Sequence, residues 1–192
     1  MPRLPRSFFA RPTLEVARDL LGQRLVRLWN GKRLAGLISE TEAYIGENDL
    51  ACHARFGRTA RSEVMYHTPG HAYVYFTYGM HWMLNLVTEA EDFPAAVLVR
   101  AILPTEGVSI MHRRRGRPDS ILTDGPAKLS QSLGVDRQLN GHDVCAREAM
   151  LFIEKAPPLP QARILHGPRI GLGNTPEPWL SKHWNFKVRH DP

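Results

Sequence analysis

Two glutamates stand two residues apart in the segment Ile38-Ser39-Glu40-Thr41-Glu42-Ala43-Tyr44, and a histidine, His53, follows eleven residues after Glu42. Side chains at i and i+2 of a strand share a face, so the two carboxylates converge if the strand leading into them persists. Three chemistries are open to such a set. The pair can work as general acid and base, it can hold a metal ion with His53, or it can be a solvated acidic edge. Metal ligands are normally spaced more tightly or more regularly than this, so the spacing gives the metal reading little weight. A single arginine, Arg100, interrupts the apolar run Ala95–Leu103 (AAVLVRAIL). It either reaches out from an edge with its stem buried or is paired inside a site. Gly171-x-Gly173 lacks the third glycine of a dinucleotide loop, Pro176 follows closely, and no strand–helix–strand unit frames it. That reading fails.

A second group of reactive shape, rather than reactive charge, lies between His71 and Val87 (HAYVYFTYGMHWMLNLV). Tyr73, Tyr75 and Thr77 alternate with Val74, Phe76 and Tyr78, as on the two faces of a strand rich in aromatic and β-branched residues. Tyr78-Gly79 breaks the run and a second apolar segment, His81 to Thr88, returns. The pattern predicts a β-hairpin whose tip carries a large aromatic ring beside a glycine. Aromatic stripes ordinarily belong to a core, but a tyrosine at a turn is exposed, and a stiff exposed ring is a wedge.

The elements that must position these groups are legible on both sides. Pro12 to Leu21 predicts a helix with Leu14, Ala17 and Leu21 on one face and Gly22 beyond its end. Asn30-Gly31 joins two expected strands, Gln23–Trp29 and Lys32–Ser39, as a hairpin. A loop-rich region from Gly46 to Gly70 holds His53, Arg55, Arg58 and Arg61. Pro104 and Thr105 are expected to open a helix, and the basic run His112 to Pro118 that ends it to be a solvated loop. Asp124-Gly125-Pro126-Ala127-Lys128-Leu129 starts another helix, with Leu129 and Leu133 on one face and Lys128 placed to meet an anion at the N-terminus. Strands are expected in AMLFIE and RILHG within a final block, Ala149 to Val188, that ends in a Pro/Trp-rich tail.

The 192 residues suffice for one domain burying about 70% of its unfolded surface. No stretch approaches the ~20 apolar residues of a membrane span, and MPRLPRSFFARP has no apolar signal region. Two cysteines, Cys52 and Cys145, form no framework and fit a reducing compartment. Twenty-five Lys and Arg against nineteen Asp and Glu give a net charge of +6, which biases the chain towards polyanions without specifying one.

In combination, IS-ETEAY-IG, Cys52-His53, YVYFTYGMHWMLN, LVRA, DGPAKL and RIGLG, in this order, resemble the alkyladenine (3-methyladenine) DNA glycosylase family over almost the whole chain, from FFARPTLEVARDLLG to WNFKV. The resemblance implies a mixed α/β (α+β) fold: one compact domain, residues 1–192, with a curved, mainly antiparallel sheet, surrounding helices and a protruding β-hairpin. It implies an enzyme that flips damaged purines out of double-stranded DNA and hydrolyses the glycosidic bond without cutting the strand. Glu42 matches the glutamate that activates water, and Arg100 and the backbone of Ile170 match groups that hold that water. Tyr44, His53 and Tyr75 match the walls that stack the flipped base. Tyr78 matches the intercalating ring, and Asn85 the residue that crowds the 2-amino group of guanine. Lys128 fits a phosphate contact. No cofactor or metal is expected, no membrane, and a monomer, cytoplasmic at the nucleoid in a bacterium or nuclear in a eukaryote. Phe186-Lys187 departs from the family's frequent Phe-Tyr.

These types suit that chemistry. A wedge offsets stacking lost on extrusion, and a carboxylate can take a proton from water while balancing positive charge on the sugar. A non-catalytic damaged-DNA binding module would also use the aromatics, but gives Glu42 and Arg100 no task. A metal-dependent nuclease built on Glu40, Glu42 and His53 is a third reading.

Overall fold

A computed structural model describes residues 1–116 and 122–189, and its central element is a 14-residue strand, β2 (Lys32–Ile45). The hairpin at Asn30-Gly31 joins it to β1 (Arg24–Trp29), and both turn residues take the positive φ that this tight connection demands. β5 (Ala95–Glu106) covers one edge of β2 along most of its length. The other edge is shared, by β1 over its first half and by β8 (Asn185–Val188) over residues 40–42. β3 (Ala72–Thr77) and β4 (His81–Val87) form the aromatic hairpin and add to β5 through β4. β6 (Leu151–Glu154) extends the sheet beyond β1, and β7 (Ile164–Gly167) pairs with β8. Every strand pairing among the described residues is antiparallel.

Two helices bury their apolar sides on one face of this sheet. α2 (Thr13–Asp19) supplies Val16 and Ala17, and α4 (Pro126–Leu133) supplies Leu129 and Leu133, all packed with Ala43, Leu84, Leu86, Val97 and Val99 in one core. A short helix, α1 (Arg6–Phe9), precedes them, and α3 (Val108–Arg115) packs beside α4. The opposite face is covered by the irregular segment 50–66, which packs Cys52, Ala54, Met65 and Tyr66 against Tyr73, Val87 and Ala96.

Two β-bulges decide what each face carries. Ile38 pairs with Ile102 and Glu40 with Ala101, so Ser39 is an extra residue on β2; Thr41 pairs with Val99, so Arg100 is an extra residue on β5. On an unbroken strand Ile38, Glu40 and Glu42 would share a face. The bulge at Ser39 reverses the parity, leaving Ile38 and Ala43 in the helix-covered core and turning Glu40 and Glu42 to the other side. The bulge at Arg100 does the same on β5: Val97, Val99 and Ile102 enter the core, while Leu98 and Arg100 face the opposite cavity.

Three sequence expectations are corrected. Pro104 and Thr105 close β5 instead of opening a helix; Pro104 lies beside an irregularity in the β2–β5 register, where a missing N–H is tolerated. The helix begins after Gly107, at Val108. Residues His112 to Arg115 are helical, not a loop: Met111 is buried and the Arg114 guanidinium lies 4.2 Å from the Trp29 ring centroid. Arg117 and Pro118 of the basic run lie outside the described residues. β2 also runs six residues past the expected end at Ser39.

Candidate active site

The Glu42 side chain is fully buried, and each of its oxygens accepts two hydrogen bonds. Oε1 takes the Ile170 backbone N–H at 2.6 Å and Asn185 Nδ2 at 3.2 Å. Oε2 takes the Tyr44 hydroxyl at 2.9 Å and Arg100 Nη1 at 3.3 Å. A carboxylate offers about four lone-pair sites, and here all are met by donors. That is what an ionised carboxyl needs when removed from water.

Arg100 links this group to the second glutamate. Its Nε donates to Glu40 Oε1 at 2.8 Å, and Asn185 Nδ2 donates to the same oxygen at 2.8 Å. Arg100 and Asn185 therefore each bridge the two carboxylates. Burial opposes the charge on Arg100, but Glu42 and Glu40 outweigh it and hold the guanidinium pKa above its usual value. The lone arginine in the apolar run is thus paired inside a site, and the bulge is what aims it there.

Beside this network opens a cavity of about 360 Å³, within the range of roughly 300–1,000 Å³ usual for small-molecule sites. Glu42 itself does not line it and stands behind its donors Tyr44, Arg100 and Ile170, which do. Tyr44, His53, Tyr75, Asn85, Arg100 and Ile170 all line it, as does Tyr78 at its mouth. The Tyr73 and Tyr75 rings lie 5.4 Å apart at 35°, and His53 meets Tyr75 edge-on at 4.5 Å. His53 Nδ1 is 2.8 Å from the Tyr73 hydroxyl. Burial pushes the His53 pKa down to about 4, and Arg61 and Arg55 push the same way, so the ring is neutral at pH 7. Tyr44 is driven well above the usual phenol value by burial and then by Glu42, which keeps its hydroxyl proton available as the donor to Glu42. Burial raises Tyr75 to about 12. Asn85 is buried, its Nδ2 donating to the Tyr73 carbonyl across the hairpin at 3.1 Å.

Tyr78 stands on the turn between β3 and β4, 77% exposed. Its φ of 53° and the 66° of Gly79 close the turn, with Met80 N–H bonded to the Thr77 carbonyl. A non-glycine residue at positive φ is uncommon, so the ring is projected by a backbone held in a less favoured state. Lys128 does not line the cavity. It sits on the first turn of α4, near the lining residue Pro126, and pairs with Asp124 at 2.8 Å.

His53 bonds Tyr73 and the two glutamates share Arg100 and Asn185, so the grouping required by the nuclease reading is not formed. Among the described residues no three His, Cys, Asp or Glu side chains converge on a common point. Sequence reasoning missed Asn185, whose only signal is an amide in a short strand, a position asparagine seldom takes. It also missed Tyr73 as a lining residue, and a fully buried ion pair between Asp49 and Arg169 behind Tyr44.

Comparison with known proteins gives this geometry its family. The methylpurine-DNA glycosylase (MPG) family model matches residues 7–192, and the chain belongs to that family. A protein of Methanocella arvoryzae is 51% identical over 194 aligned residues, covering 100% of this chain and 95% of the relative. One from Carboxydothermus hydrogenoformans is 51% identical over 88% of each chain, and one from Myxococcus xanthus 48% identical over 97% of this chain and 90% of its own. Each carries the name "Putative 3-methyladenine DNA glycosylase". No helix among the described residues is long and apolar enough to cross a membrane.

A pH dependence follows from His53. Between pH 6.5 and about 4 the unfolded chain takes up a proton at this ring that the folded protein refuses. Stability therefore falls as pH falls through that window, and nothing is lost above it. His53→Asn removes this component, so its stability deficit in urea unfolding, measured at pH 7.5, should shrink at pH 5. An unchanged deficit contradicts a buried, neutral His53.

Proposed function

We propose that this protein is a monofunctional DNA glycosylase that turns damaged purines out of duplex DNA and hydrolyses their glycosidic bond. The observation that carries the reading is a buried carboxylate three of whose donors, Tyr44, Arg100 and Ile170, line an aromatic-walled cavity, with an exposed tyrosine on a hairpin turn at its mouth. Tyr44, Tyr75 and His53 accept a planar base between them. Electron-poor alkylated purines such as 3-methyladenine and 7-methylguanine stack there best, with hypoxanthine and ethenoadenine in the same class. Tyr78 fills the space the base leaves, offsetting the lost stacking. The net charge of +6 favours the polyanion, and Lys128 reaches a phosphate by exchanging Asp124 for it.

Hydrolysis needs water at Glu42, so one of its four donors must yield. Arg100 Nη1 makes the longest of those contacts, at 3.3 Å, while Nε stays on Glu40 at 2.8 Å. Water entering there is held between Glu42 and Arg100 and gives its proton to the carboxylate as the sugar gains positive charge. The Ile170 amide fixes the other oxygen and keeps the carboxylate in plane. Cationic alkylated bases depart without further help.

The test is an excision assay on duplexes carrying 3-methyladenine, hypoxanthine or ethenoadenine. Strand scission should appear only after alkali and should persist in EDTA. Tight lesion binding with no scission would favour a non-catalytic binding module, and scission without alkali would mark a lyase or nuclease. Tyr78→Ala should lose at least tenfold more activity on a fully paired lesion than on a mismatched one; equal losses contradict the wedge.

Selectivity is assigned to Asn85. Hypoxanthine and guanine differ by a 2-amino group that stacking cannot sense, so rejection requires a clash. In single-turnover assays Asn85→Ser should raise guanine release relative to hypoxanthine release. An unchanged ratio leaves Asn85 only its bond to the Tyr73 carbonyl.

A further inference from the structure

The Ile170 amide makes the shortest bond to Glu42, 2.6 Å, yet it comes from a segment between β7 and β8 that has no helix or strand. Ile170 itself is 55% exposed, and Gly171 after it sits at φ 78°. Nothing in regular structure holds that donor in place. The residue before it is Arg169, whose side chain is completely buried.

Arg169 is clasped in the plane of the Asp49 carboxylate, Nη1 to Oδ2 at 2.6 Å and Nη2 to Oδ1 at 2.9 Å, with Asp49 also fully buried. The remaining contacts lead to the site. Arg169 Nη1 donates to the Ala43 carbonyl at 3.0 Å, and Asp49 Oδ2 accepts from the Ile45 N–H at 3.3 Å. The two charges thus continue the edge ladder of β2 beyond the end of β8 and grip the backbone on either side of Tyr44. The guanidinium lies 4.8 Å from the Tyr44 ring centroid and 4.9 Å from that of Trp184, and Nη2 reaches the Trp179 carbonyl at 3.2 Å. Asp49 shapes the next wall as well: its Oδ1 accepts from Ala51 N–H, and its carbonyl from Cys52 N–H, at the turn that delivers His53.

We propose that the Asp49–Arg169 pair is the positioning device of this site, setting the Ile170 amide on Glu42, the Tyr44 wall and the His53 turn together. The proposal rests on the glycosylase reading for its kinetic consequence but not for its structural one. Neither residue touches the cavity, so both act through the groups they hold. A buried pair this well bonded also supports the fold, and the test must separate the two roles.

Arg169→Lys keeps a positive charge beside Asp49 but cannot serve Asp49, Ala43 and Trp179 at once or lie flat against two rings. Its folded fraction, assayed below the melting transition, should excise at least a hundredfold more slowly in single turnover. Affinity for a lesion duplex should change by less than tenfold. In deuterium exchange followed by NMR the Ile170 amide should exchange at least tenfold faster, with β2–β5 amides unchanged. Asp49→Asn should show the same pattern. Wild-type excision rates in folded variants, or unchanged exchange at Ile170, overturn the proposal. Failure of both variants to fold where the wild type is stable would assign the pair to stability alone and also overturn it. A wild type that excises no lesion defeats the glycosylase reading, while the exchange result at Ile170 still decides the positioning role.

Discussion

One buried negative charge constrains the design of this molecule. An ionised carboxylate withdrawn from water costs several kcal/mol unless its oxygens are matched, and Glu42 is matched by donors from four separate places. Tyr44 comes from β2 itself, Arg100 from β5, Asn185 from β8, and the Ile170 amide from the segment between β7 and β8. The sheet must therefore bring β5 and β8 to opposite edges of β2 at the level of Glu42, and the register does so: Leu98 and Asn185 are its two cross-strand neighbours. The bulges at Ser39 and Arg100 complete the arrangement by turning the polar groups away from the helix-packed core.

The same strands divide the labour between stability and chemistry. The face under α2 and α4 is apolar and closed, and it fixes the backbone from which the polar face projects. On that second face the walls are tyrosines, each with a polar tip already engaged or raised in pKa by burial, so the cavity presents flat rings and few loose charges. Flat aromatic rings of this kind attract planar cations and stack on neutral rings alike. Under the proposed function, discrimination comes from edges and from the cost of extraction, the tasks proposed for Asn85 and Tyr78.

Much of this was legible in the sequence because local rules and the final fold agree. Asn30-Gly31, the hairpin within His71–Val87 and Pro126 at the start of α4 all follow turn and cap chemistry. The family resemblance carried by the ETEAY and LVRA segments put Glu42 and Arg100 in one site, and the structure pairs them. The continuation of β2 to Ile45 and of β5 to Glu106 was not legible, because glutamates and a proline end the apolar pattern while cross-strand pairing does not end. A bulge leaves no mark in residue type, so the parity change at Ser39 is invisible in one dimension. Asn185, Asp49 and Arg169 escaped for a related reason: each is an ordinary polar residue locally, and its meaning arises from a partner more than a hundred positions away.

The most direct measurement of the central claim is the single-turnover excision rate of Glu42→Gln beside its affinity for the same lesion duplex. Gln keeps the size of the side chain and removes the charge and the base. Base release should fall by at least about a hundredfold while lesion affinity stays within tenfold of wild type. Excision within tenfold of wild type would show that the buried carboxylate is not the group that acts on water.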